Sequence, residues 1–420
     1  MKTSEKLFFL PTLLLLIAFL IKLASIPNHV IVFAFSFLLI LVYLIIFLSK
    51  EIRSEKTLVR KVYHILFFVL ILIVLVLPYL NMFSQGIVPI LIYFLMALGV
   101  FVYFFNLNKK LPSTYFRPNN YRNFVYQNLV MVILNSPFSD ILPDNYYSPE
   151  FHPKYAQGAG PEVYIDEMHN NYHTSTGLYT TFANILKKDG YTVKPFAKKL
   201  SKESLNPLKI LVISNALHIN NADNWRQPVY SAFEEQEIVL IKHWVENGGS
   251  LFLIADHPPF SSASKNLAAA FGFEFTDGTA LQKKRGKSDL FSRENSMLLA
   301  NEITNGTTST EYVDSIVTFT GQAFKIPDSA KSILSFNESF ALYSPKIHND
   351  FANCVPEEIV GYSQGAYMNY GKGKLVVFGE AAMFSGQLGA GLSFFKVGMN
   401  SPKAKNNYKL LLNIVHWLDK

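Results

Sequence analysis

The stretch Gly248-Gly249-Ser250-Leu251-Phe252-Leu253-Ile254-Ala255-Asp256-His257-Pro258-Pro259-Phe260 holds an apolar run that stops abruptly at an acid, an imidazole and two prolines. The run shows no alternation of polar and apolar residues. It therefore reads as a strand covered on both faces, as in the parallel sheet of an α/β domain. Such a strand ends at the ligand-binding edge of the sheet, where Asp256 and His257 stand.

Strand and helix signals alternate on either side. Residues 163–165 read as a first strand, 179–188 as a helix stopped at Asp189-Gly190, 191–193 as a second strand and 209–214 as a third. A helix over 233–247 carries Ile238, Ile241, Trp244 and Val245 at helical spacing and closes on Gly248-Gly249. Another helix follows over 262–271. The alternation predicts an α/β fold with a flavodoxin-like, doubly wound, mostly parallel sheet. Strands over 312–319, 332–336, 358–363, 367–370 and 374–379, then a final amphipathic helix over 404–418, complete a domain spanning 161–420.

The first part of the chain is different. A mean hydropathy of +0.19 is too apolar for an ordinary soluble enzyme. Apolar stretches at 7–24, 30–48, 62–83 and 87–105 each approach the ~20 residues that cross a bilayer, so residues 1–110 are expected to form a four-span transmembrane module. Basic residues cluster at Lys50 to Lys61 and after the last span, which by the positive-inside rule puts both termini in the cytoplasm. The expected protein is a multi-pass protein of the inner membrane with its soluble domain on the cytoplasmic side, joined by a proline-rich linker over 111–160. Residues 1–110 hold ten Lys and Arg against three acids, whereas residues 111–420 hold 28 of each. The soluble part is thus neutral, which argues against nucleic acid as a partner.

Candidate chemistry collects at the ends of the expected strands: Asp166, Glu167, His169, Asn170, Asn171 and His173 after the first, Asn215 after the third, Asp256 and His257 after the fourth, and Glu380 and Ser385 after the last. His169 and His173 are four residues apart, the spacing of helix-borne metal ligands. With Asp166, Asp256 or His257 they compose a mixed nitrogen and oxygen set suited to a divalent metal; the alternative is hydrogen-bonded loop structure. Without a metal, His257 held by Asp256 or Glu167 has the make-up of a general base, and a second carboxyl that of an acid. The single cysteine, Cys354, excludes internal disulfides and cysteine metal knuckles. Gly386-Gln387-Leu388-Gly389-Ala390-Gly391 reads as a mobile loop over the site, or as a plain surface loop.

Three segments, Tyr164-Ile165-Asp166-Glu167-Met168-His169-Asn170-Asn171-Tyr172-His173-Thr174, Trp244-Val245-Glu246-Asn247-Gly248-Gly249-Ser250-Leu251, and Phe378-Gly379-Glu380-Ala381-Ala382-Met383-Phe384-Ser385, resemble the bacterial DUF4350 family. That family is similar to the class I glutamine amidotransferase-like domains, which include gliding-motility accessory proteins and the GIFT domains of intraflagellar transport. The resemblance covers residues 161–420 and implies a flavodoxin-like sheet. Amidotransferases of this fold carry a cysteine at the elbow where this chain has Asp256-His257, so glutamine hydrolysis is not expected.

The reading that follows is a membrane-anchored accessory protein binding a small polar ligand, a sugar or a peptide, at the strand ends. The alternatives are a hydrolase using His169, Asp256, His257 and Glu380, with or without a divalent metal, and a scaffold subunit of a membrane transport complex.

Overall fold

The computed structural model describes residues 141–284, 289–344, 351, 354–388 and 396–420. The four apolar stretches and most of the linker lie outside these residues; among the described ones, no helix is long and apolar enough to cross a membrane. The described residues build a mixed α/β fold around one large sheet.

The elements of that sheet and its covering helices are β1 (Glu162–Asp166), α1 (Thr180–Lys188), β2 (Thr192–Phe196), β3 (Ile210–Ser214), α2 (Glu235–Glu246), β4 (Ser250–Ile254), α3 (Phe260–Ala269), β5 (Glu274–Phe275), β6 (Phe324–Lys325), β7 (Lys331–Ser335), β8 (Ser363–Tyr370), β9 (Gly373–Phe378) and α4 (Asn407–Asp419). Strand order is β2-β1-β3-β4-β9-β8-β6-β5, with β7 also paired to β8. The first five strands are mutually parallel. From β9 onward every pairing is antiparallel, so the sheet is half parallel rather than mostly so. The antiparallel half replaces crossover helices with the tight turn at Gly371, between β8 and β9.

Each residue of β4 is buried, and its side chains alternate between two cores. Phe252 and Ile254 pack with Ile210, Val212, Val376 and Phe378 beneath α1 and α4. Leu251 and Leu253 pack with Leu211, Ile213, Leu375 and Val377 beneath α2 and α3. That double coverage is why the run lacks polar alternation. The connection from α2 into β4 has little room. Gly248 takes φ 117°, and a Cβ on Gly249 would stand 2.2 Å from the Trp244 ring, so only glycine fits between helix and strand.

Two expectations fail for local reasons. Gly361, at φ 82°, turns the chain after a two-residue strand at Glu357–Glu358, so pairing resumes only at Ser363 and then runs unbroken to Tyr370. The segment expected as a mobile loop begins with a strand, Gly386–Leu388, held on one side by Leu142–Pro143 and on the other by Lys396–Gly398; residues 389–391 lie outside the described residues.

Phe252→Ala removes a ring with no exposed surface at the centre of the first core. It is expected to cost about 3–5 kcal/mol in urea unfolding. A loss below about 1 kcal/mol would mean that β4 is not the centre of the fold.

Candidate functional site

Strand parity divides the expected site residues between the two faces of the sheet. Val163 and Ile165 face α1, so Asp166 faces α2. There its Oδ2 accepts hydrogen bonds from His169 Nδ1 at 2.8 Å and Asn171 Nδ2 at 3.0 Å. His169 Nε2 lies 3.6 Å from Glu237 Oε1, in the first turn of α2, and its ring packs on Phe233 with 4.5 Å between centroids. Burial disfavours the charged imidazole, but Asp166 and Glu237 outweigh it, and the His169 pKa is raised above the ordinary histidine value. Asn171 also donates to Ser214 O at 3.1 Å, which ties the first loop to the end of β3.

Ser214, Asp256 and Glu380 face the other way, toward α1. Glu380, with no exposed surface, accepts the backbone N–H groups of Ala382 at 2.7 Å and Met383 at 2.8 Å, capping the short 3₁₀ turn Ala382–Phe384. Asp256 accepts the N–H of His257 at 2.7 Å and that of Ala381 at 3.4 Å, while its own N–H donates to Asn215 Oδ1 at 2.9 Å. Tyr179 donates its hydroxyl to Ala381 O at 3.0 Å and packs its ring at a tilt against that of His173, with 4.5 Å between centroids. Burial and the adjacent Asp256 push the Glu380 carboxyl well above the usual range.

The sequence reading expected the first loop to converge on Asp256-His257. Instead, no hydrogen bond or ion pair joins Asp166 or His169 to Asp256 or Glu380; the link runs through Asn171, Asn215 and backbone. Asn170 and Asn215 both take left-handed φ, near 45°, which asparagine tolerates because its short amide can bond locally. Asn170 donates to Leu217 O at 3.2 Å. Glu167 accepts the N–H and the hydroxyl of Ser175. Ser385 donates to Ala382 O at 2.7 Å. His257 turns its Nδ1 to Pro258 O at 2.9 Å and leaves Nε2 3.9 Å from Asp256.

The metal expectation relied on His169 and His173 sharing a helix face. Residues 167–179 form turns instead, and the two rings part to opposite faces of the sheet. Among the described residues no group of three or more His, Cys, Asp and Glu side chains is placed to hold a metal ion.

Sequence reasoning passed over several side chains. Glu237 looked like an ordinary first-turn acid of α2. Gln322, contributed by the antiparallel half, donates to Ala255 O at 2.7 Å and was invisible without the fold. Tyr172 and Trp225, from the loops after β1 and β3, and Phe260, the first residue of α3, meet as a triangle of rings 5.1–5.6 Å apart. The density of aromatic residues in otherwise polar loops was the available signal for that cluster.

No protein-family profile matches the sequence. No curated protein matches it either. Among solved structures the chain is similar to the mmIFT52 N-terminal domain, at 14% identity over 61% of this chain and 97% of that one, with a TM-score of 0.45. It is also similar to a cytoplasmic protein from Salmonella typhimurium, at 17% identity over 61% and 98% of the two chains, TM-score 0.37. A ThuA-like protein from Bacteroides uniformis aligns at 13% identity over 65% and 95%, TM-score 0.36.

His173 supplies a test of this geometry. It is buried with both ring nitrogens unpartnered, and burial pushes its pKa down to about 3. The unfolded chain therefore takes up the proton first, and stability is lost as pH falls below about 6.5, by up to about 1.4 kcal/mol per pH unit. Replacing His173→Leu should remove that slope, so the wild-type minus variant difference in denaturant unfolding shrinks from pH 7 towards pH 4. Parallel curves for the two proteins would show that His173 is solvated.

Proposed function

We propose that this chain is a membrane-anchored accessory protein whose soluble domain binds a small polar ligand, a sugar or a short peptide, at the carboxyl ends of its parallel strands. The order β2-β1-β3-β4-β9 supports a flavodoxin-like sheet of the glutamine amidotransferase-like kind, in which the strand order reverses between β1 and β3. Ligands of open α/β sheets bind outside that crevice, and here the loops after β1 and β3 frame it. Residues 1–110 are the anchor in this reading, with a bilayer and a membrane-complex subunit as partners and the domain on the cytoplasmic face.

The observation that carries the binding reading is how the strand-end polar groups are occupied. Asp166, His169 and Asn171 bond to one another, Glu167 to Ser175, Asn215 to Asp256, and Glu380 to the turn it caps. A hydrolase needs a base or nucleophile with a free lone pair aimed at a substrate. These side chains hold loops instead. What they hold up is the aromatic triangle, in which Tyr172 keeps 40% of its surface exposed. A ring fixed at the mouth of a strand-end crevice, flanked by amides such as Asn170, suits stacking on a polar ligand with apolar faces.

The full chain, titrated with a panel of neutral oligosaccharides and short peptides, should show a saturable change in tryptophan emission from Trp225. Tyr172→Ala should weaken that binding about tenfold, the equivalent of ~1.4 kcal/mol of lost stacking, without a comparable loss of stability. Binding unaffected by Tyr172→Ala, or no saturable change with any member of the panel, would sink the proposal.

A further inference from the structure

The tips of β4 and β9 place two buried carboxyl groups on adjacent parallel strands. Ile254 is in register with Ser214 on one side and Phe378 on the other. Asp256 and Glu380 each lie two residues further on, so they stand at one level on adjacent parallel strands and face the same core. The backbone ties the two tips as well, because the N–H of Ala381, the residue after Glu380, reaches Asp256 Oδ2 at 3.4 Å. Both are buried, at 6% and 0% exposure. Among the described residues no Lys or Arg forms an ion pair with either; the one charged-group contact is His257 Nε2, 3.9 Å from Asp256 Oδ1. Tyr179, whose pKa burial and both carboxyls raise, and the His173 ring packed against it also lie on that side.

A second feature marks the same face. Ser214, on the neighbouring strand with the same parity, is fully buried, and both ring nitrogens of His173 are buried without a hydrogen-bond partner. Two ionised carboxylates side by side in such surroundings repel and are poorly solvated. A proton relieves both penalties at once.

We propose that Glu380, beside the carboxylate of Asp256, holds an exchangeable proton at neutral pH, so that the tips of β4 and β9 form a proton-binding site. The raised Glu380 pKa agrees with this. A carboxyl whose folded pKa lies above its unfolded value contributes stability that is complete below about pH 4.3 and is lost as pH rises through the folded value. Asp256 also accepts the N–H of His257, at the entry to α3, and α3 begins with the Phe260 of the aromatic triangle. Loss of the proton therefore loosens the loop beneath that triangle; this consequence, unlike the proton itself, rests on the binding reading above.

The test is infrared spectroscopy of the full chain, titrated across the neutral and alkaline range, on the wild type, Glu380→Gln and Asp256→Asn. The expected result is a protonated-carboxyl band in the wild type at neutral pH. That band is lost in Glu380→Gln, and in Asp256→Asn it disappears at a lower pH because the repelling neighbour is gone. The thermal midpoint of the wild type should fall as the band titrates away. A wild type with no such band, or a band that titrates identically in Asp256→Asn, overturns the proposal. So does a midpoint that depends on sodium or potassium against choline at constant ionic strength while no band is seen, since an alkali ion then supplies the charge. The Asp256→Asn arm stands alone if Glu380→Gln does not fold. No ligand enters the measurement, so its failure leaves the ligand reading untouched, and failure of ligand binding leaves the band unaffected.

Discussion

A strand buried on both faces has to come out of the sheet somewhere, and the way β4 does so governs the rest of this domain. Its last four residues, Leu251 to Ile254, leave no polar side chain to accompany the backbone into the loop. Ala255 still has a carbonyl that needs a donor, and it finds one in Gln322 from the antiparallel half. Asp256 needs its N–H satisfied and finds Asn215 from the loop after β3. The end of one strand is thereby tied to two other parts of the chain, and each tie uses a side chain that might otherwise have done chemistry. The crowding of polar residues at the carboxyl edge is first a solution to backbone satisfaction.

Two histidines four residues apart show how completely the faces of the sheet separate their environments. His169 sits between Asp166 and Glu237 and is favoured as the cation; His173, among aromatic rings, is kept neutral. Their pH dependences have opposite sign. The His169 contribution is complete below about pH 6.5 and is lost as pH rises through its raised value, while the His173 contribution is complete above about pH 6.5 and is lost on acidification. Both effects favour a folded state near neutral pH, with the acid side set by His173 and the alkaline side by His169 and Glu380.

Much of the fold could be read from residues 161–271, because buried strands and amphipathic helices differ in period and the glycine pair before β4 marks a boundary unambiguously. The antiparallel half was harder. Its strands at Glu274–Phe275 and Phe324–Lys325 are two residues long; the second pairs with β8 and the first only with the second, information that no local pattern contains. The candidate residues were found as a set, since acids, amides and imidazoles stand out beside apolar runs. Their division between two faces was also implicit, in the parity of Ile165 and Asp166 against Ile254 and Asp256. What sequence could not give was which partner consumes each group: Ser175 for Glu167, or a backbone turn for Glu380.

The opposite edge of the sheet shows what a compensated buried carboxylate looks like in the same molecule. Asp419, at the end of α4, accepts Lys154 Nζ at 3.0 Å, Lys209 Nζ at 2.7 Å and the hydroxyls of Tyr155 and Tyr191. Burial alone would raise its pKa, but these donors lower it well below the ordinary carboxylate range. The arrangement pins the chain entering the domain, through Lys154 and Tyr155, to the last helix. Asp256 and Glu380 are also buried and have backbone N–H groups, yet among the described residues no lysine or arginine forms an ion pair with either. Backbone amides are neutral dipoles, and they cap a carboxylate without cancelling its repulsion for a second one. The amino edge of the sheet is therefore locked by fixed charge, and the carboxyl edge, where the aromatic triangle sits, is left with Glu380, whose raised pKa lets the solvent pH change its charge.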